Sequence, residues 1–403
     1  MDLPIQLIAV LLLVVAIALL VPIAMLLLEC SAALLPEAQQ HRDFLRPRPN
    51  IAVLVPAHNE ALGIELTLRN LLDNLRADDK LIVIADNCTD STAAIAHSLG
   101  ATVIERYNLT QRGKGYALDY GLKFLADEPP DVVVFVDADC TVSPGAIEQI
   151  AQLALAQSRP VQATYLLNRP GRLAPKDAVS ILAFTVKNLV RPLGLTRLGL
   201  PCLLTGTGMA FPWSMIHTVS LASGNIVEDM QLSLDLAIAG YPATLCAEAK
   251  VTGALPQQEQ AAKSQRTRWE HGHLQTLLTQ VPRLLQAAVR QGRLDLLAIA
   301  LDLSIPPLSL LVMLWVAALV VCGAFAALGG SFLPVFLLML GGVLLFVAVF
   351  TAWASFSRSE LPLTTLLSVP LYILWKIPLY LAFLISPQTK WVRTERDAIN
   401  PKS

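Results

Sequence analysis

Two long stretches of this chain carry no charge. One is Leu3 to Leu28, and the other is Leu303 to Ser357, broken only by Leu-Gly-Gly-Ser at 328–331. Backbone polar groups in hydrocarbon must be satisfied within the segment itself, so such stretches fold as helices. At about 20 residues per crossing, the first supplies one membrane span and the second supplies two. The spacing predicts spans over 4–28, 308–328 and 332–355, with Pro306-Pro307 separating the second from an amphipathic lead-in helix. A secretory signal peptide is the competing reading of the first stretch. That stretch exceeds the roughly 7–15 residues of a signal h-region, and no basic residue precedes it. With 54% hydrophobic and only 15% charged residues, the composition is that of a membrane protein.

Basic residues fix an expected orientation. Arg42, Arg46 and Arg48 follow the first span, and Arg283, Arg290 and Arg293 precede the second, while the turn at 329–331 has none. The positive-inside rule then places the intervening domain in the cytoplasm, in a multi-pass protein of the cell (inner) membrane. Three spans return the chain to the inside at Arg358, and the tail at 390–402 is basic as well. The apolar segment Leu361 to Pro387, which carries Pro370, Lys376 and Pro378, is therefore expected to lie in the interface or re-enter without crossing.

Nearly all the charge sits between about 40 and 296. A net charge of −1 without a basic stripe excludes nucleic acid as a partner. The six cysteines, at 30, 88, 140, 202, 246 and 322, form no C-x-x-C pair and imply reduced packing residues with no zinc site.

Within this segment the rhythm is strand, turn, helix. Strands are predicted at 51–57, 80–86, 101–106 and 131–137, with helices at 61–75 and 115–125, which is the pattern of a parallel α/β sheet. Val132 to Val136 is an unalternating apolar run, as in a strand buried on both faces, and it ends at Asp137 and Asp139. Two acids at the carboxyl end of a central strand repel each other unless a cation joins them. Gln-Arg-Gly-Lys-Gly at 111–115 opens a helix with two cations and suits a phosphate, although a solvated helix cap is the commoner meaning. Glu228 and Asp229 open another helix, where acids also serve as plain caps. Gln265, Arg268 and Trp269 precede the apolar C-terminal part, where an aromatic beside arginines also serves as an interfacial anchor.

The order of these marks is more specific than any one of them. VPAHNE, ADNCTD, RGKGYALDYG, VDADC, LTGTGMAF, IVEDMQL and QRTRW, flanked by apolar spans, together resemble the membrane-bound family 2 glycosyltransferases. That group includes cellulose and hyaluronan synthases and ceramide glucosyltransferase. The resemblance covers about residues 50 to 275 and implies an α/β fold, a GT-A nucleotide-diphospho-sugar transferase domain with flanking transmembrane helices. The domain boundaries that follow are 1–30 for an N-terminal span, 40–275 for the GT-A domain, 276–303 for an amphipathic interface helix, 304–357 for two spans, and 358–403 for the interfacial segment and basic tail.

It further implies transfer of a sugar with inversion from a nucleotide sugar, with a UDP-sugar as the expected donor, to a lipid or saccharide acceptor at the membrane. Asp139 and Asp137 are the implied ligands of Mg²⁺ or Mn²⁺, and Asp229, beside Glu228, is the implied base. Pro56, Glu60, Asp86, Lys114 and Asp137 are implied in nucleotide binding. Gly206, Gly208, Gln265, Arg268 and Trp269 are implied on the acceptor and diphosphate side. LTGTG departs from the aromatic- and cysteine-bearing form usual in chain-extending synthases, which argues against long-chain polymerisation but not against sugar transfer. The short span count, with one N-terminal helix, favours a lipid acceptor or a short-oligosaccharide product over an extruded polymer; a processive polysaccharide synthase is the alternative. Two other classes stand beside this reading: a nucleotidyltransferase, which gives no reason for the E-D and Q-x-x-R-W marks, and a silent nucleotide- or glycan-binding scaffold, which has no need of the intact acids.

Overall fold

The computed structural model describes residues 3–36, 48–168, 174–222, 227–255, 258–359 and 361–386. Arg42, Arg46 and the basic tail at 390–402 lie outside them. The described residues fall into two compact units.

One unit is built on an eight-stranded sheet: β1 Ile51–Ala57, β2 Lys80–Asp86, β3 Thr102–Arg106, β4 Val132–Phe135, β5 Cys140–Val142, β6 Val161–Asn168, β7 Met209–Pro212 and β8 Thr244–Ala254. The strand order is β3-β2-β1-β4-β7-β6-β8-β5. β3, β2, β1 and β4 are parallel, as the strand–helix rhythm predicts, and β6 pairs with β8 in parallel. The sheet is nevertheless mixed, because β7 runs antiparallel to both β4 and β6, and β5 antiparallel to β8. The short β7 follows a glycine-bearing turn, and its sequence gives no sign of direction.

Alternate residues of one strand feed two cores. Ile51, Val53 and Val55 pack with Ile64, Leu68 and Ile147 on one face, whereas Ala52 and Leu54 pack with Leu118, Leu122 and Leu236 on the other. Burial on both faces explains the absence of polar alternation. Each fully buried aliphatic side chain contributes about 1.5–3 kcal/mol. Helices Lys114–Leu125 and Glu228–Ile238 share the second core, so their first turns open at the carboxyl end of β4.

The other unit takes in residues 3–36, 174–200 and 273–386. Leu3–Ala32, Leu308–Ala327 and Leu333–Phe356 are long and apolar enough to cross a membrane, and so is Pro175–Arg197. The first three turn large apolar residues outward, such as Leu7, Val320 and Phe346, while Pro175–Arg197 is mostly buried within the unit. Pro175–Arg197 is helical throughout, with a π-helical turn at Val186–Val190. Its Arg191 donates from Nε to Glu29 at 3.0 Å and from Nη2 to Asp302 at 2.6 Å. All three residues are buried. Gly194 lies so close to the first helix that a Cβ there would sit 2.0 Å from the Glu29 carbonyl oxygen. Leu361 to Ser386 forms a short helix, Leu363–Leu366, and a 17-residue apolar helix, Val369–Ile385.

Candidate active site

The parallel strands end side by side, and their polar continuations form one edge. Pro56 lies within β1, and His58, Asn59 and Glu60 follow it. The loop is tied to the next one: His58 Nδ1 lies 2.6 Å from the Asp86 carbonyl oxygen, and the Glu60 N–H donates to Thr92 Oγ1 at 2.8 Å. Asn59, at φ +55°, accepts from the Thr89 N–H at 2.7 Å.

Asp86 ends β2 and is paired in register with Arg106 at the end of β3. Arg106 Nη1 donates to Asp86 Oδ1 at 2.6 Å, and both side chains are buried. Arg106 is a residue that sequence reasoning missed. The only signal that could have found it is its place at the end of the strand beside β2.

Lys114 starts its helix directly after Gly113, whose φ of +128° few other residues adopt. Its ammonium forms an ion pair with Asp137, lies 3.8 Å from Glu228, and donates to the Gly206 carbonyl oxygen at 2.6 Å. Three motifs far apart in sequence therefore meet on one cation. Burial opposes the charge of Lys114, but Asp137 and Glu228 outweigh that effect and hold its pKa above the ordinary value. Burial pushes the Asp137 carboxyl up, against the pull of Lys114 and with Asp139 adding to the rise. Burial likewise lifts Glu228 from 4.5 to about 7, with Lys114 opposing and Asp229 adding.

Ligand atoms of Asp137, Asp139 and Cys140 lie within 4.8 Å of one another. Asp137 and Asp139 offer hard carboxylate oxygens, the donor type that Mg²⁺ and Mn²⁺ take. Cys140 is fully buried in the sheet core, and burial, with Asp139 and Asp137 nearby, keeps its thiol protonated.

The turn between Thr205 and Gly208 closes the site against the E-D pair. Gly206 has φ +93°, and a Cβ there would lie 3.1 Å from Asp229 Oδ2; Gly208 has φ +65°, and its Cβ would lie 2.5 Å from Val251 Cγ2. Neither position tolerates a side chain easily. Buried Gln162 pins this turn: its Oε1 accepts from the Thr205 N–H and its Nε2 donates to the Thr207 carbonyl, each at 2.8 Å. The Asp137 N–H donates to Thr207 Oγ1 at 3.1 Å. Gln162 is a further residue that no motif announced, and Thr207 lies within LTGTGMAF without having been singled out. Beside the pair a pocket of about 80 Å³ is lined by Leu118, Met209, Leu221, Glu228, Asp229 and Leu232, among others.

Gln265, Arg268 and Trp269 lie in the first turns of helix Glu259–Gln291. Arg268 and Trp269 are half-buried; Gln265 is buried, and its Oε1 has no hydrogen-bond partner among the described residues. The helix reaches the E-D segment through Gly272, where a Cβ would lie 2.6 Å from Val227 Cγ1.

Residues 47–272 match the model of the family described as glycosyltransferase like family 2. Among curated relatives, "Probable glycosyltransferase YdaM" of Bacillus subtilis is 32% identical over 108 residues, which is 25% of each chain. Protein RfbJ of Shigella flexneri is 33% identical over 92 residues, 23% of this chain and 66% of that protein. The chain thus spans between a quarter and about two thirds of the length of these relatives. Among solved structures, the mannosyltransferase PcManGT from Pyrobaculum calidifontis, in complex with GDP-Man and Mn²⁺, superposes with a TM-score of 0.56 at 19% identity. That match covers 93% of this chain and 99% of that one. The likeness is one of fold: a mixed α/β sheet of the GT-A type.

Proposed function

Because the chain belongs to glycosyltransferase like family 2, we propose that it is a membrane-bound inverting glycosyltransferase. It moves a sugar from a nucleotide sugar, expected to be a UDP-sugar, to a lipid or saccharide acceptor at the membrane, in glycolipid or exopolysaccharide synthesis. One observation carries this reading: Lys114 gathers Asp137 of the D-x-D and Glu228 of the E-D onto a single point, so the donor-side and acceptor-side acids share one site.

Asp229 takes the proton from the acceptor hydroxyl as that oxygen attacks the anomeric carbon. Gly206 lets the carboxylate approach the backbone, and Glu228 stands next to the base at the start of the same helix. The nucleoside diphosphate leaves from the opposite side, which gives inversion. Asp139 and Asp137 would hold Mg²⁺ or Mn²⁺, which when bound supplies charge neutralisation for the leaving diphosphate. Lys114 adds a fixed positive charge beside it. Asp86, with Pro56 and Glu60 on the same edge, takes the nucleoside. Gln265 and Arg268 face the diphosphate side, and Trp269 stacks on the acceptor sugar or headgroup. The apolar helices hold this unit at the bilayer, with the domain in the cytoplasm where nucleotide sugars are made. Residues 361–387 lie in the interface or re-enter without crossing.

The test is incubation of the purified protein with a panel of radiolabelled nucleotide sugars, followed by extraction into lipid and aqueous fractions. Transfer of label from one of them to an acceptor is expected, and Asp229→Asn should lower it by about 10²–10⁴-fold without loss of nucleotide binding. An Asp229→Asn protein with more than about a tenth of the activity would remove the base assignment.

A further inference from the structure

The carboxylate at the end of β2 is not free to bind a base in any way it likes. Asp86 and Arg106 are register partners across the parallel β2–β3 pair, so their side chains stand on the same face at adjoining strand ends. Arg106 is held on three sides: Nη1 on Asp86 Oδ1 at 2.6 Å, Nη2 on the Gln111 carbonyl at 2.8 Å, and the guanidinium 5.7 Å from the centre of the Tyr116 ring. Asn87 Nδ2 donates to the same Oδ1 at 3.0 Å. Asn87 is fixed in turn: its N–H donates to the Arg106 carbonyl at 2.7 Å, and its Oδ1 accepts from the Asn108 N–H at 2.8 Å. Two donors therefore occupy Oδ1, and Oδ2 receives none among the described residues.

We propose that Arg106 is a specificity-determining residue of the nucleotide site: by filling Oδ1 of Asp86 it leaves one acceptor oxygen, Oδ2, and so selects a uracil-type imide over guanine. This rests on the glycosyltransferase reading of the site. Uracil presents one N–H between two carbonyls, which a single carboxylate oxygen satisfies. Guanine presents two adjacent donors, N1–H and the N2 amine, whose natural partner is a carboxylate with both oxygens open. With Oδ1 taken, one guanine donor is left unpaired in a site where Asp86 is only 7% exposed. Cytosine and adenine bring a ring-nitrogen lone pair toward the carboxylate and are repelled. Arg106 touches neither sugar nor diphosphate in this scheme; it acts through Asp86.

A purely structural clasp between two strand ends would affect all nucleotides alike, so the ratio between bases is the diagnostic quantity. Titration calorimetry of the full-length protein in detergent with Mn²⁺ compares UDP, GDP, CDP and ADP. The wild type is expected to bind UDP at least about tenfold more tightly than GDP, the scale of one unmade hydrogen bond to a charged group. Arg106→Met removes the shorter of the two bonds to Oδ1 and should lower the UDP-to-GDP ratio severalfold. Arg106→Met with Asn87→Gly frees Oδ1 and should bring the ratio close to one, while Arg106→Lys, which keeps a donor within reach, should restore most of the preference. If Arg106→Met has no cooperative melt, Asn87→Gly removes the other donor at a left-handed position that glycine accepts, and a smaller fall in the ratio is expected. A wild type that prefers GDP, or a folded Arg106→Met with the wild-type ratio, overturns the proposal. Equal binding of all four nucleotides by the wild type overturns it alone. A folded wild type that binds none overturns the glycosyltransferase reading as well.

Discussion

Glu228→Gln should make the protein more stable above neutral pH and leave it nearly unchanged in acid. Burial, with Asp229 adding and Lys114 opposing, raises the Glu228 carboxyl from 4.5 to about 7. A carboxyl raised on folding binds more protons in the native than in the unfolded state between those two values. Its contribution is thus fully present below 4.5 and lost as pH climbs through about 7. At about 1.4 kcal/mol per pH unit, that gap is worth roughly 3 kcal/mol, lost by about pH 8. Glutamine keeps the shape but cannot ionise, so it escapes the loss. For a unit of this size the difference should appear as roughly 5–10 °C in melting temperature. The assay is a series of thermal melts in detergent with chelator, from about pH 5 to about pH 8, for wild type and variant at one scan rate. The two curves should meet in acid and diverge with rising pH. Parallel curves across the range would refute the argument, because a constant offset reports packing and not titration.

Other outcomes follow from particular contacts. Trp269→Ala should lower transfer to the acceptor far more than hydrolysis of the donor by water, as equal losses in both reactions would mark a plain helix anchor. Arg191→Met leaves Glu29 and Asp302 buried without their cation and should destabilise the apolar unit by about 3–5 kcal/mol, read as a lower melting temperature or greater protease sensitivity in detergent. Gly194→Ala, whose Cβ would meet the Glu29 carbonyl oxygen at 2.0 Å, should destabilise the same unit; a melt like the wild type's would show that the helices separate without penalty.

Legibility in the sequence followed the range of the forces involved. The central strands were plain because burial on both faces imposes an unbroken apolar run, as in Val132 to Phe135. The long apolar helices Leu3–Ala32, Leu308–Ala327 and Leu333–Phe356 were plain as well, because an unbroken run of apolar residues marks them. The acids at 137, 139, 228 and 229 could be singled out as motifs, but that Lys114 joins Asp137 to Glu228 is a matter of chain path, which periodicity does not carry. Arg106 and Gln162 were invisible, and Thr207 was passed over inside LTGTGMAF: each is a common residue whose meaning lies in a partner on another strand or turn. The helix Pro175–Arg197 was missed as a long apolar helix because Lys176, Asp177, Lys187, Arg191 and Arg197 dilute it. For Arg191 the compensating charges lie far away in the chain, at Glu29 and Asp302.

That distance has a consequence for how the protein is made. Glu29 leaves the ribosome first, Arg191 emerges 162 residues later, and Asp302 a further 111 residues after that. During synthesis the first helix must therefore wait with an unmatched carboxylate while most of the sheet domain is translated. The cation that arrives is itself incompletely satisfied until the third segment appears. Assembly of the apolar unit is a late event with a high closure entropy, and a chain cut between 255 and 300 should be recognised as unfinished by quality-control proteases even though every strand of the sheet is already present.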